Sequence, residues 1–246
     1  MLKPIIIVSA GQPPPAILGR HGDFSDWIAA GLGPALPVAV LDARTAPSLP
    51  AVTDIAAVVV TGSPSMVTDH ESWSERLAGW LRELVHAEVP VLGICYGHQL
   101  LAYALGGEVG YRAGGLALGT DTVQLTAGAV GDALLDGLPA RFPAPFVHRQ
   151  SVLRLPPGAC RLAGHEPEPC QMFRIGQRAW GVQFHPEFSA TVMREYVQQL
   201  APEPDAPVLA RSVQETPHAA AILSRFAALS AAGTGTGCGH TGSNAW

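Results

Sequence analysis

A cysteine held between two glycines, where an apolar run meets a helical one, leaves few folds open to this chain. The residues are Gly93-Ile94-Cys95-Tyr96-Gly97. Val89-Pro90-Val91-Leu92 before them reads as a short buried strand. His98-Gln99-Leu100-Leu101-Ala102-Tyr103-Ala104-Leu105 after them carries helical apolar spacing. A sharp strand-to-helix turn crowds its central residue, so the residues two positions to either side must be small. The helix then aims its N-terminal N–H groups at the sulfur, which favours the reactive thiolate. A cysteine taken alone is usually a small buried hydrophobe. The flanking glycines at such a corner make a nucleophile elbow the better reading of Cys95.

Strands and helices alternate on both sides of this corner. The patterns predict strands over 4–9, 37–42, 55–61 and 90–95, and helices over 22–31, 71–87 and 97–105. Shorter strand-like pieces follow at 107–111, 120–125, 146–153, 160–163, 171–175 and 179–184, with a further helix over 191–200. Repeating β-α units imply an α/β fold: an open, mostly parallel sheet with helices on both faces, a flavodoxin-like three-layer arrangement. Such sheets place their sites at the carboxyl ends of the strands. The loop after Val60, the elbow after Ile94 and the segment around His185 are all predicted strand ends.

A thiol nucleophile needs a base and a group to orient that base. Trp180-Gly181-Val182-Gln183-Phe184-His185-Pro186-Glu187-Phe188 supplies both. Residues two apart in extended chain project to the same side, so the Glu187 carboxylate is expected to reach the His185 ring. That contact fixes the tautomer and turns the other ring nitrogen toward the thiol. In isolation a His-x-Glu would be a solvated pair; beside the elbow it becomes a candidate dyad. The third strand end, Thr61-Gly62-Ser63-Pro64-Ser65, reads alone as a turn rich in Gly, Pro and Ser.

Gly-Ile-Cys-Tyr-Gly-His-Gln followed by Gln-Phe-His-Pro-Glu resembles the class I (triad-type) glutamine amidotransferases, over residues 4–200. The Thr-Gly-Ser-Pro loop and the Thr-Pro helix start near the C-terminus resemble their free-standing, GMP-synthase-like members. The resemblance implies Cys95 as nucleophile, His185 as base and Glu187 as orienting acid. It implies backbone oxyanion donors from Gly62 or Ser63 and from Tyr96, usually a large catalytic term. It also implies substrate contacts from Gln99 and from the stretch containing His148. Relatives often carry His-x-Asp where this chain has His148-Arg149-Gln150. The implied reaction hydrolyses the side-chain amide of glutamine to glutamate and ammonia through a Cys-bound γ-glutamyl thioester, without metal or cofactor. Ammonia then passes to an acceptor synthetase or subunit. The chain carries no Gly-x-x-x-x-Gly-Lys phosphate loop, so the acceptor is separate or the protein acts alone. One alternative is a γ-glutamyl hydrolase acting on a γ-glutamyl amine or peptide. A second is a binding or regulatory protein with a dormant triad, against which the intact Cys95, His185 and Glu187 argue. A third, a different cysteine-elbow hydrolase, would have no need of Glu187.

Composition narrows the setting. At 246 residues, 48% hydrophobic and 14% charged, the chain can build a substantial core and is not a disordered polymer. A formal charge of −5 without a basic stripe argues against nucleic acid. Of the 15 basic residues all but Lys3 are arginine, a compositional bias without functional content. No stretch reaches the length of a membrane helix, and the N-terminal apolar run is too short for a signal segment, which predicts the cytoplasm. The four cysteines, at 95, 160, 170 and 238, lack zinc-like pairing and are expected to be free thiols. Residues 1–200 form the expected domain. Residues 201–207 read as a linker, and Thr216-Pro217 starts a helix whose stripe of Ile222, Leu223, Phe226 and Leu229 is expected to pack back, making 201–232 a C-terminal linker and helix. The Gly/Thr-rich 233–246 is expected to be a disordered tail, in which Cys238 and His240 are too few for a metal site.

Overall fold

Every residue of β1 (Ile5–Ser9) is buried, because both faces of this strand are covered. Ile5 and Ile7 pack into one apolar cluster, Ile6 and Val8 into another, as the two-residue period of a strand requires. β3 (Ala57–Val60) divides the same way, Ala57 and Val59 against Val58 and Val60. The computed structural model describes residues 2–165 and 168–232. Its remaining central strands are β2 (Val38–Asp42), β4 (Val91–Ile94), β9 (Cys160–His165), β10 (Glu168–Ile175) and β11 (Ala179–Val182). They assemble in the order β2-β1-β3-β4-β11-β10-β9. The first five run parallel; β10 runs antiparallel to β11, and β9, antiparallel to β10, runs with the first five again.

Helices cover both faces, as the alternation predicts. α2 (Phe24–Leu32) and α7 (Pro217–Ala232) cover one cluster through Ile28, Leu32, Ile222, Leu223 and Phe226. α3 (Ser72–His86) and α4 (Tyr96–Ala104) cover the other through Leu77, Leu81, Leu100 and Leu101. A third cluster joins Phe24, Phe188 and Ile17 of α1 (Pro15–His21) to Val192, Met193 and Tyr196 of α5 (Ala190–Leu200). Among the described residues no helix is long and apolar enough to cross a membrane. Cys95, Cys160 and Cys170 are free; the tail 233–246, with Cys238 and His240, lies outside the described residues.

The structure departs from the sequence expectations in four places. The predicted strand 146–153 is two strands, β7 (Arg141–His148) and β8 (Gln150–Arg154), which part at Arg149. β7 pairs with β6 (Ala117–Gln124) and β8 with β5 (Glu108–Tyr111), so the halves join different ribbons. Nothing in the residues around Arg149 marks such a change of partner. α1, absent from the expected elements, opens at Pro15, a helix start where the missing N–H is harmless. α2 begins at Phe24 rather than Gly22, because Asp23 caps it in a reciprocal box with Asp26. The stretch 201–207, read as a linker, runs into α6 (Ala206–Ser212).

The corner between β4 and α4 is tight. Cys95 sits at φ 50° and ψ −98°, a conformation that costs about 1–3 kcal/mol for a non-glycine residue. A Cβ on Gly97 would stand 2.5 Å from the Val60 carbonyl oxygen and 2.8 Å from the Val60 Cβ. One on Gly93 would strike the backbone of Gly97 and His98. These are backbone obstacles that no rotamer relieves. Gly97→Ala is therefore expected to destabilise the protein by about 2–3 kcal/mol in urea unfolding, and a loss below about 0.5 kcal/mol would contradict the packing of α4 on β3.

Candidate active site

The ends of β3, β4 and β11 meet at Cys95. Its N–H donates to the Val182 carbonyl at 2.8 Å, tying the elbow to the last residue of β11. Three residues later the His185 N–H donates to the Pro145 carbonyl of β7 at 2.9 Å. These two bonds place the imidazole beside the sulfur. Residues 185–188 then turn, the Phe188 N–H donating to the His185 carbonyl at 3.2 Å. The His-x-Glu pair is thus held by a turn and not by extended chain. The expected contact forms all the same, with His185 Nδ1 2.8 Å from Glu187 Oε1. A carboxylate only accepts, so Nδ1 carries the donated proton.

The pair is almost sealed from solvent, with side-chain exposures of 4% for His185 and 0% for Glu187. Burial pushes the His185 pKa down. The charges of Glu187 and Cys95, with hydrogen bonds to both, outweigh burial and raise it to about 10. Glu187 Oε2 is buried without a hydrogen-bond partner among the described residues, leaving His185 as the carboxylate's partner. Gly62 is pressed against both groups: a Cβ there would lie 2.9 Å from His185 Cε1 and 3.8 Å from Cys95 Cβ.

Cys95 and His185 open onto a cavity of about 220 Å3. Ser63, Tyr96, Gln99 and His148 line it, and Gly62 lies behind His185 at its edge. Thr61 and Ser63 lock the loop after β3. Thr61 Oγ1 accepts from the Ala10 N–H at 3.0 Å, and Ser63 Oγ donates to the Ala10 carbonyl at 2.8 Å. Tyr96 opens α4, so its N–H has no acceptor within the helix. Its side chain turns the other way, meeting Ser74 Oγ at 2.5 Å and stacking on Trp73, and burial raises its phenol to about 12. Among the described residues no group of three or more His, Cys, Asp or Glu side chains is placed to hold a metal ion.

Gln99 and His148 meet at Gln150. Its carbonyl accepts from Gln99 Nε2 at 2.6 Å and from His148 Nδ1 at 3.0 Å. Burial holds the His148 pKa down near 3 despite that bond, so its ring is neutral, with Nε2 an unpartnered acceptor. The Gln150 side chain lines the cavity, donates to Thr68 Oγ1 at 2.6 Å and leaves Oε1 buried without a partner. Sequence reasoning put the weight on Gln99 and His148 and missed Gln150 as their common anchor. It also missed Phe24, Phe188, Tyr196 and Arg149, all of which line the cavity. Phe188 directly follows His-Pro-Glu and so could have been suspected; Phe24 and Tyr196 carry no sequence signal. Among the described residues Arg149 is the only Lys or Arg in the lining, and no Asp or Glu contributes.

A three-layer α/β protein with a buried Cys-His-Glu cluster at the carboxyl ends of its strands is the class that this fold and cavity define. Residues 32–201 match the model of the class-I glutamine amidotransferase family, and the chain belongs to that family. It is 42% identical over 135 residues to the GMP synthase [glutamine-hydrolyzing] of Leifsonia xyli subsp. xyli, covering 54% of this chain and 26% of that protein. It is 30% identical over 148 residues to gamma-glutamyl peptidase 3 of Arabidopsis thaliana, covering 58% of each. The chain thus spans about a quarter of the one relative and little more than half of the other. A glutamine amidotransferase from Thermotoga maritima has the same fold, with a TM-score of 0.74 at 20% identity over 92% of this chain and 98% of that one.

The raised His185 pKa has a consequence for stability. A histidine whose pKa rises from 6.5 to about 10 on folding stabilises the protein fully below pH 6.5. That contribution fades as pH climbs toward 10. The melting-temperature gap between the protein and Glu187→Gln is accordingly expected to narrow between pH 6.5 and 10. A gap that stays constant or widens across this window would contradict a charged His185-Glu187 pair.

Proposed function

We propose that this protein hydrolyses the side-chain amide of glutamine in the cytoplasm, yielding glutamate and an ammonia molecule for an acceptor synthetase. The observation that carries the reading is the position of His185, hydrogen-bonded to Glu187 and lining the same cavity as Cys95. The Cys95 thiolate attacks the γ-carbonyl carbon, forming a C–S bond and an oxyanion. Backbone N–H groups of Tyr96 and of Gly62 or Ser63 hold that oxyanion. His185 gives its proton to the departing nitrogen, the C–N bond breaks and ammonia leaves a γ-glutamyl thioester. His185 then takes a proton from water, whose oxygen attacks the thioester; glutamate departs and the thiolate is restored. Glu187 keeps the imidazole oriented and stabilises its charge throughout. Gln99, His148 and Gln150 form the polar wall that receives the amino-acid end, with Arg149 as the cation for the α-carboxylate. A second reading, hydrolysis of a γ-glutamyl amine or peptide, draws support from the aromatic side chains packed beside His185.

Ammonia and glutamate release by the purified protein tests the first reading. Cys95→Ala should lower kcat by at least about 1,000-fold with an unchanged circular dichroism spectrum, and near-native turnover in that variant would remove the nucleophile assignment. Arg149→Met should raise KM for glutamine about tenfold, the worth of one hydrogen bond to a charged group, with kcat little altered. An unchanged KM would place the α-carboxylate elsewhere.

A further inference from the structure

We propose that the leaving-group side of this cavity accommodates an apolar amine, so that beside glutamine the site takes γ-glutamyl amides of aromatic or branched aliphatic amines in preference to those of small amines. The inference rests on the Cys95-His185 hydrolysis of the preceding section and names the substrate class of that site. His185 is the group that protonates the departing nitrogen, so any substituent on that nitrogen must extend past the imidazole. What stands there is aromatic. Phe188 stacks on His185 with ring centroids 4.2 Å apart. Tyr196 stacks on Phe188 at 5.0 Å, and Phe24 lies 6.1 Å from Phe188 and 6.2 Å from His185 itself. Phe24, Phe188 and Tyr196 all line the cavity that holds Cys95, and Leu116 and Leu200 continue the apolar lining. The amide side chains of Gln99 and Gln150 line the same cavity and supply a polar wall.

The aromatic wall is anchored. Phe24 is the first residue of α2, fixed by the Asp23 cap. Tyr196 sits on α5, whose start is capped by Ser189. Ammonia offers no apolar surface to such a wall, whereas a benzyl or isobutyl group takes its own apolar surface out of water by packing there. The chemistry balances without a further reactant. The Cys95 sulfur bonds to the γ-carbonyl carbon, the C–N bond breaks, and the amine leaves with the His185 proton. Water then converts the thioester to glutamate.

The test compares kcat/KM of the purified protein for glutamine, γ-glutamyl methylamide, γ-glutamyl isobutylamide and γ-glutamyl benzylamide. The isobutyl compound separates packing from leaving-group basicity, since its amine is about as basic as methylamine. Benzylamide and isobutylamide are expected to exceed methylamide by about tenfold or more, the scale of a small hydrocarbon group in an apolar pocket. In Phe24→Ala that preference should fall by about tenfold, and in Phe24→Leu it should largely return; as a ratio it does not depend on the folded fraction. Methylamide cleaved as well as or better than the bulkier amides would overturn this inference and leave hydrolysis at Cys95 standing. A preference unchanged in Phe24→Ala would overturn the assigned wall. Silence on all four substrates would overturn both readings.

Discussion

The left-handed turn at Cys95 is the constraint on which the rest of the site depends. A strand must end and a helix begin within one residue, and only a strained φ of 50° at that residue achieves it. The strain is held by packing on all sides. Gly93 and Gly97 let β3, β4 and the first turn of α4 approach until their backbones touch. The elbow amide is bonded to Val182 at the end of β11. Because the same Val182 precedes His185 by three residues, the bond that steadies Cys95 also sets its distance from His185. Strain at a functional residue persists only where its surroundings over-determine it, and here the parallel β3-β4-β11 core does so.

Charge follows from that geometry. Glu187 is buried behind His185, and among the described residues its carboxylate hydrogen-bonds to that imidazole alone. Desolvation alone would discharge the ring, as it does for the neighbouring buried His148, held near 3. Glu187 and Cys95 reverse the sign at His185. Two buried histidines facing one cavity therefore take opposite states, His185 charged beside Glu187 and His148 a neutral fixture of the polar wall.

Much of this was legible in the residues themselves. The unbroken apolar runs at 5–8 and 55–60 announced buried strands. The Gly-x-Cys-x-Gly corner announced the turn, and His185 and Glu187 could be paired from their spacing. The route to that pairing differs, since a turn through Pro186 replaces the extended chain inferred from the sequence. The split at Arg149 was hidden, because it shows in the strand partners of β7 and β8 and not in their residues. That split places the Gln150 carbonyl where Gln99 and His148 both reach it, a convergence of residues 51 and 2 positions away.

The sequence by itself determined the layer order of the sheet, the position of the elbow and the three side chains of the Cys-His-Glu cluster. These follow from local rules: hydrophobic period, the steric demands of a tight turn and the short reach between residues two apart. Only the tertiary structure decided the shape and polarity of the cavity. Phe24, Phe188 and Tyr196 come from a helix cap, a turn and the middle of a late helix, and they meet beside His185 because the third apolar cluster closes there. Packing of that kind is a property of distant segments brought together, and no window of sequence contains it.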